Sequence, residues 1–187
     1  MRVFLAVHPD PRFVRDLTTQ LDPWRSALAV KWTLPVTWHV TLQFLGEWPA
    51  DRLKVLQEAL SRLEAGPPFE LVPGPLGGFP NLRAPRVLFL QMDSGGRAER
   101  LARLVRDCVA EVWPDGPQDR KAFRGHLTLA RIKRRLTGAE GDLLARLELE
   151  PFAPVRVESF HLIASELFRD GPRYTELTSY RMRKKGE

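Results

Sequence analysis

The sequence predicts an α+β fold built on antiparallel sheet, with two lobes related by pseudo-symmetry. Short β-branched runs alternate with amphipathic helices at mixed connection lengths, without the regular βαβ beat of a doubly wound parallel sheet. Two stretches that share a His-x-Thr-Leu core in an apolar setting, WHVTLQFL and GHLTLARI, place His39 and His126 at positions 87 apart, close to half of the 187 residues. That length, with 43% hydrophobic residues, suits one domain spanning residues 1–187 with its own core.

Residues 3–7 form a first apolar strand that stops at Pro9, and Asp10-Pro11 supplies an N-cap and first turn for a helix toward Leu28, which Pro23 is expected to break or kink. A strand over 39–45 ends at Gly46. Residues 50–63 then place Leu53, Leu56, Leu60 and Leu63 on one helical face before Gly66. The segment 66–85 carries six prolines and four glycines, so only short extended pieces such as 69–72 are expected, with Gly77-Gly78 and Gly95-Gly96 read as turns. A strand over 86–92 follows. Leu101, Leu104, Val105, Cys108 and Val112 keep a helical period up to Pro114, and residues 123–132 return to strand character. A short helix over 137–147 and strands over 154–165 and 174–182, flanking a turn at 169–172, complete the chain.

The N-terminal apolar run is too short for a secretory signal and no later segment reaches membrane-spanning length, which makes a cytoplasmic protein with no membrane partner the expectation. The single Cys108 falls on the apolar face of its helix and reads as a core thiol; no disulfide framework is possible. A formal charge of +6 favours anionic partners.

Residues i and i+2 of a strand share a face, so each His-x-Thr presents an imidazole beside a hydroxyl while Val40, Leu42, Leu127 and Leu129 point into the core. With four histidines and nine threonines in the chain, two such pairs in matching apolar settings are hard to obtain by chance. Imidazoles titrate near neutrality, so one can serve as base while its twin serves as acid. Two such groups on opposite sides of a phosphorus suit in-line displacement at a phosphodiester, with Thr41 and Thr128 holding the non-bridging oxygens. No His-x-His, HExxH or second cysteine supports a metal site, and neither a Walker loop nor a GxGxxG turn is present; no metal and no cofactor are expected. His8 reads as a loop residue and His161 as a structural strand residue. Arg131 could reach a phosphate, but five positions from His126 is odd parity, so a bulge or strand end is required. For Lys133, Arg134 and Arg135 a solvated strand end and a phosphate contact are equally open, and residues 181–185 read as a solvated tail.

The paired motifs, together with RVFLAV, GGFPN, FRGHLTLAR and SELFRDGPRYTEL, make the chain resemble the two-histidine (2H) phosphoesterase superfamily, and within it the prokaryotic RNA 2′,3′-cyclic phosphodiesterases first named 2′-5′ RNA ligases. The resemblance implies two mostly antiparallel sheets flanked by helices around a central cleft. It implies metal-independent hydrolysis of a terminal 2′,3′-cyclic phosphate to a 2′-phosphate, with His39 as proton donor to the leaving oxygen and His126 as base toward water. The same pair run backwards would join a cyclic phosphate end to a 5′-hydroxyl. Thr41, Thr128 and Arg131 match the family's phosphate contacts, and Phe123 is a candidate base-stacking wall or a core aromatic. Gly125 departs from the pattern, standing where the family often has Pro. The expected partners are RNA ends or nucleotides bearing the cyclic phosphate, acted on by a monomer. Rival readings are a phosphodiesterase for a small cyclic phosphate or a 2′-5′ oligonucleotide, and a catalytically silent nucleotide- or RNA-binding module.

Overall fold

The computed structural model describes residues 1–116, 122–169 and 171–183. Nine strands and four α-helices follow in the order β1 (Arg2–Val7), α1 (Pro11–Ala27), β2 (Lys31–Trp32), β3 (Val40–Glu47), α2 (Leu53–Ser61), β4 (Phe69–Phe79), β5 (Val87–Asp93), α3 (Arg97–Val112), β6 (His126–Arg131), α4 (Gly138–Ala145), β7 (Val155–Val157), β8 (Ser159–Leu167) and β9 (Pro172–Arg181). This is the α+β class expected from the sequence, and every strand pairing is antiparallel among the described residues.

The strands lie in the order β7-β4-β5-β6-β3-β1-β8-β9, with β2 added beside β6. Two four-stranded halves therefore meet where β3 lies against β6, the two strands that carry the His-x-Thr motifs. Only Val40 and Leu127 are paired across that seam. The two expected sheets are thus halves of one continuous path joined at its narrowest point.

One face of each strand is driven into the core. Leu5, Val40, Leu42, Leu88, Leu90, Leu127, Leu129 and Leu162 form one hydrophobic cluster with Phe13, Leu17 and Leu21 of α1 and with Leu101 and Val105 of α3. Burial of each such side chain is worth roughly 1.5–3 kcal/mol. The helices take up that face, and the opposite face of the sheet carries the His-x-Thr side chains. Cys108 is a buried free thiol on α3, as its spacing implied.

The structure corrects three local expectations. Helix α1 runs through Pro23 to Ala27, so of the break or kink expected at the proline the break does not occur. Both Pro23 and Thr19, whose carbonyl loses its intrahelical donor, are exposed, so water can replace the missing bond. Strand β4 is 11 residues long despite its prolines and glycines, because it is paired on one side at a time, Phe69 to Leu71 with β7 and Val72 to Phe79 with β5. Beyond Leu71 one edge needs no donors, and a register shift between Pro73 and Leu76 absorbs the rest. Gly77 and Gly78 are strand residues rather than a turn; Gly77 pairs with Phe89, whose ring lies where a Cβ would sit.

Other boundaries move by a few residues: β6 starts at His126, the strand expected over 154–165 divides into β7 and β8, and β2 went unrecognised. The capping box of α4 is formed by Thr137 and Glu140. Glu140 also binds Arg134, whose guanidinium reaches the Ala29 carbonyl at 3.2 Å. Arg134 is therefore a structural clamp, and its hold keeps the Glu140 carboxyl at about 2. Of the C-terminal basic cluster, Arg181 closes β9, while Lys184, Lys185 and the turn residue Asp170 lie outside the described residues.

Gly125 is a packing requirement of this chain. The Met92 amide donates to the Gly125 carbonyl at 2.9 Å, and a Cβ on Gly125 would collide with the Met92 carbonyl. Gly125→Ala is expected to lower stability by about 1–3 kcal/mol in urea unfolding, because β5 and β6 must part to admit the methyl.

Candidate active site

The seam register sets the geometry. Val40 and Leu127 are the paired residues, so His39 and Thr41 on β3 and His126 and Thr128 on β6 flank that pair and share the opposite face, in the order an antiparallel register would set Thr41 toward His126 and Thr128 toward His39. Diagonal neighbours of this kind lie about 7–8 Å apart in a regular ladder, somewhat less between Cβ atoms. A tetrahedral phosphate with a hydrogen bond on either side fits such a gap. Val40, Leu42, Leu127 and Leu129 are all at most 4% exposed, while the His and Thr side chains are partly exposed on the other face.

Both histidines are oriented by the same device. His39 Nδ1 lies 2.7 Å from the Thr37 carbonyl, and His126 Nδ1 lies 2.7 Å from the Arg124 carbonyl. A carbonyl can only accept, so each Nδ1 carries a proton and donates it. The tautomer is thereby fixed, and Nε2 is left for the cleft in both rings. Aromatic walls hold each ring: Phe4 of β1 and Tyr174 of β9 around His39, at centroid distances of 4.9 and 5.4 Å, and Phe79 of β4 and Phe89 of β5 around His126, at 5.3 and 5.4 Å.

A β-bulge follows each motif at the same position. In the β1–β3 ladder Leu5 pairs with Gln43 and Ala6 with Thr41, so Leu42 is extra; in the β5–β6 ladder Leu88 pairs with Ala130 and Phe89 with Thr128, so Leu129 is extra. The extra residue reverses parity. Two consecutive buried residues follow each Thr, and then Phe44 and Arg131 emerge on the cleft side, five positions after their histidines. This resolves the parity obstacle for Arg131, whose charge is felt by both His39 and Tyr174. The carbonyls exposed by the second bulge are capped by Thr33: its hydroxyl lies 2.8 Å from the Thr128 oxygen and 2.9 Å from that of Leu129, and accepts from Trp38 Nε1 at 2.8 Å. The segment leading into the first motif is thus tied to the bulge of the second.

Thr41, Phe44, Phe79, Arg106, Phe123 and His126 line one cavity of about 560 Å³. Phe123 lines this cavity and also packs against the core, as the core-aromatic alternative expects. Phe44, 56% exposed at the rim, was not singled out from the sequence because ideal strand parity points it away. Phe4, Phe79, Phe89 and Tyr174 come from strands remote in sequence, and no local pattern marks them. Thr128, set toward His39 by that register, lines none of the larger cavities described.

His39 is shifted down to about 4, chiefly by burial between its aromatic neighbours, with further lowering from His8, His126 and Arg131; its bond to Thr37 opposes the shift. The ring edge reaches solvent, yet most of its surroundings are protein.

A match to the family described as the 2′-5′ RNA ligase superfamily covers residues 9–167. The chain belongs to this family. An RNA 2′,3′-cyclic phosphodiesterase of Thermus thermophilus is 36% identical, with 98% of this chain and 91% of the relative covered, and one of Archaeoglobus fulgidus is 32% identical, with 95% and 98% covered. Among solved structures, a Thermus thermophilus protein superposes with a TM-score of 0.77 at 33% identity, covering 99% of this chain and 100% of that one. Escherichia coli LigT complexed with 3′-AMP gives 0.77 at 25% identity, covering 97% of both chains. The 2H fold expected from the paired motifs is the fold found.

A histidine held neutral by the folded state binds its proton more readily once unfolded. Its contribution opposes folding as pH falls from 6.5, the ordinary imidazole value, to about 4, and then levels off. His39→Asn is expected to lose less stability than the parent over that window, by on the order of 3 kcal/mol in denaturant unfolding at successive pH values.

Proposed function

We propose that this chain is an RNA 2′,3′-cyclic phosphodiesterase that opens a terminal 2′,3′-cyclic phosphate to a 2′-phosphate through His39 and His126. The reading rests on one observation above others: two imidazoles from matching His-x-Thr motifs, each with Nδ1 committed to a backbone carbonyl and Nε2 left over, stand on the two strands that meet at the Val40–Leu127 pair. His126 Nε2 takes a proton from water as the water oxygen attacks phosphorus. The bond from phosphorus to the 3′ oxygen breaks in line, and His39 Nε2–H protonates that oxygen. Thr41, Thr128 and Arg131 hold the non-bridging oxygens, and Phe123 with Phe44 offers the base a stacking wall.

With a 5′-hydroxyl in place of water, the same ring-opening attack on the cyclic phosphate yields a 2′-5′ linkage. No step requires a metal at phosphorus. One chain supplies every group, so a monomer suffices, and RNA ends as substrate are consistent with a cytoplasmic protein. The described helices include none long and apolar enough to cross a membrane.

A polynucleotide is favoured over a small cyclic phosphate by the surroundings of Arg131. Its strand partner Val87 follows Arg86, and Arg86, Arg83, Lys133 and Arg135 share a surface groove of about 700 Å³. Such a cationic track suits the phosphates that follow an RNA end. The binding-module reading gives no reason for both His-x-Thr pairs, since phosphate binding needs only positive charge and backbone donors.

His39 Nε2 carries no proton at neutral pH in the chain alone, so its role as donor requires a second proton to be taken up with the phosphate anion. Calorimetry of 2′-phosphate nucleotide binding at pH 7, in buffers of different ionisation enthalpy, is expected to show proton uptake in the parent and none in His39→Ala. Absence of uptake in the parent would reverse acid and base.

His39→Ala and His126→Ala are each expected to lower hydrolysis of a 2′,3′-cyclic nucleotide by about 10²–10⁴-fold with the fold retained by circular dichroism, and EDTA to leave the parent's turnover unchanged. Parent-like turnover in either variant would end the two-histidine mechanism. The product is expected to carry the phosphate on the 2′ oxygen.

A further inference from the structure

A second cluster of ligating side chains lies one strand away from the first motif. Ala6 of β1 pairs with Thr41 on one side and with His161 of β8 on the other. His8, just past the end of β1, packs against His161 with ring centroids 4.7 Å apart and planes tilted by 60°. Glu176 of β9 completes the group, its Oε2 lying 2.9 Å from His161 Nδ1. One ligand atom from each of the three residues falls within 4.8 Å of the others.

We propose that His8, His161 and Glu176 form a binding site for a divalent transition-metal ion of the zinc class, beside the catalytic cleft and separate from the reacting phosphorus. Two imidazole nitrogens and one carboxylate oxygen are a donor set that zinc accepts, with a fourth position left to solvent. Bonds of about 2.0–2.2 Å to a tetrahedral ion require ligand atoms somewhat over 3 Å apart, a contraction from the 4.8 Å within which these atoms lie.

Orientation of the rings supports the assignment. His8 Nδ1 lies 3.4 Å from the Trp38 carbonyl, which leaves Nε2 uncommitted. His161 Nε2 lies 3.0 Å from Ser159 Oγ, which leaves Nδ1 toward Glu176. Ligating histidines are held in this way, by an outer partner on the nitrogen that does not bind the ion. His161 Nδ1 is also buried and makes no well-aligned hydrogen bond, although it lies 2.9 Å from Glu176 Oε2. An ion between the two groups would satisfy both. Purely structural histidines, as the sequence suggests for His8 and His161, would not need a half-exposed carboxylate brought to the same point. The positions 8, 161 and 176 form no sequence motif, and for that reason spacing alone could not disclose them.

The test is a titration of the purified full chain, stripped with EDTA and dialysed, with Zn²⁺ in competition with a chromophoric chelating indicator. The parent is expected to bind one equivalent, with affinity lowered by about 10–100-fold or more in His161→Ala and in Glu176→Gln. Glu176 is 50% exposed, so the glutamine variant preserves the fold and separates ligand loss from unfolding. Zn²⁺ should also raise the melting temperature of the parent and leave that of both variants unmoved. Equal binding by parent and both variants, or loss of binding in His126→Ala alone, would overturn the assignment. Because the readout is metal binding, failure here leaves the phosphodiesterase reading standing, and the reverse also holds.

Discussion

The seam pair Val40–Leu127 is the constraint on which the cleft depends. Side chains on a strand alternate, so a slip of one residue at this point would turn both imidazoles into the core and both leucine rows toward solvent. Burial of Val40, Leu42, Leu127 and Leu129 on one side therefore fixes the register that sets each histidine toward the other motif's threonine. The polar face of the site is held in place by the apolar face beneath it. A single pair also leaves the two halves free to diverge on either side, which opens a cleft where a fully zipped ladder would close one.

The bulges at Leu42 and Leu129 extend this logic. An extra residue in a strand normally leaves a carbonyl unsatisfied and weakens the ladder. Here the added leucine joins the core, and at the second bulge Thr33 covers the carbonyls. What the bulge secures is reach: Phe44 on one side and Arg131 on the other return to the cleft. The two halves are thereby alike in backbone and different in chemistry, with an aromatic surface after one motif and a cation after the other. That division matches a ligand with a base at one end and a phosphate at the other.

Electrostatics separate the two histidines further. His39, sealed by Phe4 and Tyr174 and facing Arg131, is held neutral well into the acid range. Under the proposed function its protonation would be coupled to the arrival of an anion, so that the acid would be made when the phosphate is in place. The basic groove along Arg83, Arg86, Lys133 and Arg135 continues the positive field of Arg131 outward. Arg134, although part of the same run in sequence, is withdrawn from that field by Glu140.

Several parts of this protein were legible in the amino-acid order. The helical periods of α2 and α3, the β-runs, the paired His-x-Thr motifs and the burial of the residues between them follow from local rules of side-chain spacing. Even the need for a bulge before Arg131 was visible as a parity conflict. Propensity misjudged β4 and Pro23, because the cost of a proline depends on whether its neighbours need a donor, which only the pairing partners reveal. Phe4, Phe79, Phe89 and Tyr174, the close approach of Gly125 to Met92, and the meeting of His8, His161 and Glu176 were decided by tertiary structure alone. Each joins residues distant along the chain, and contacts between separate strands leave no period or spacing in the sequence from which to read them.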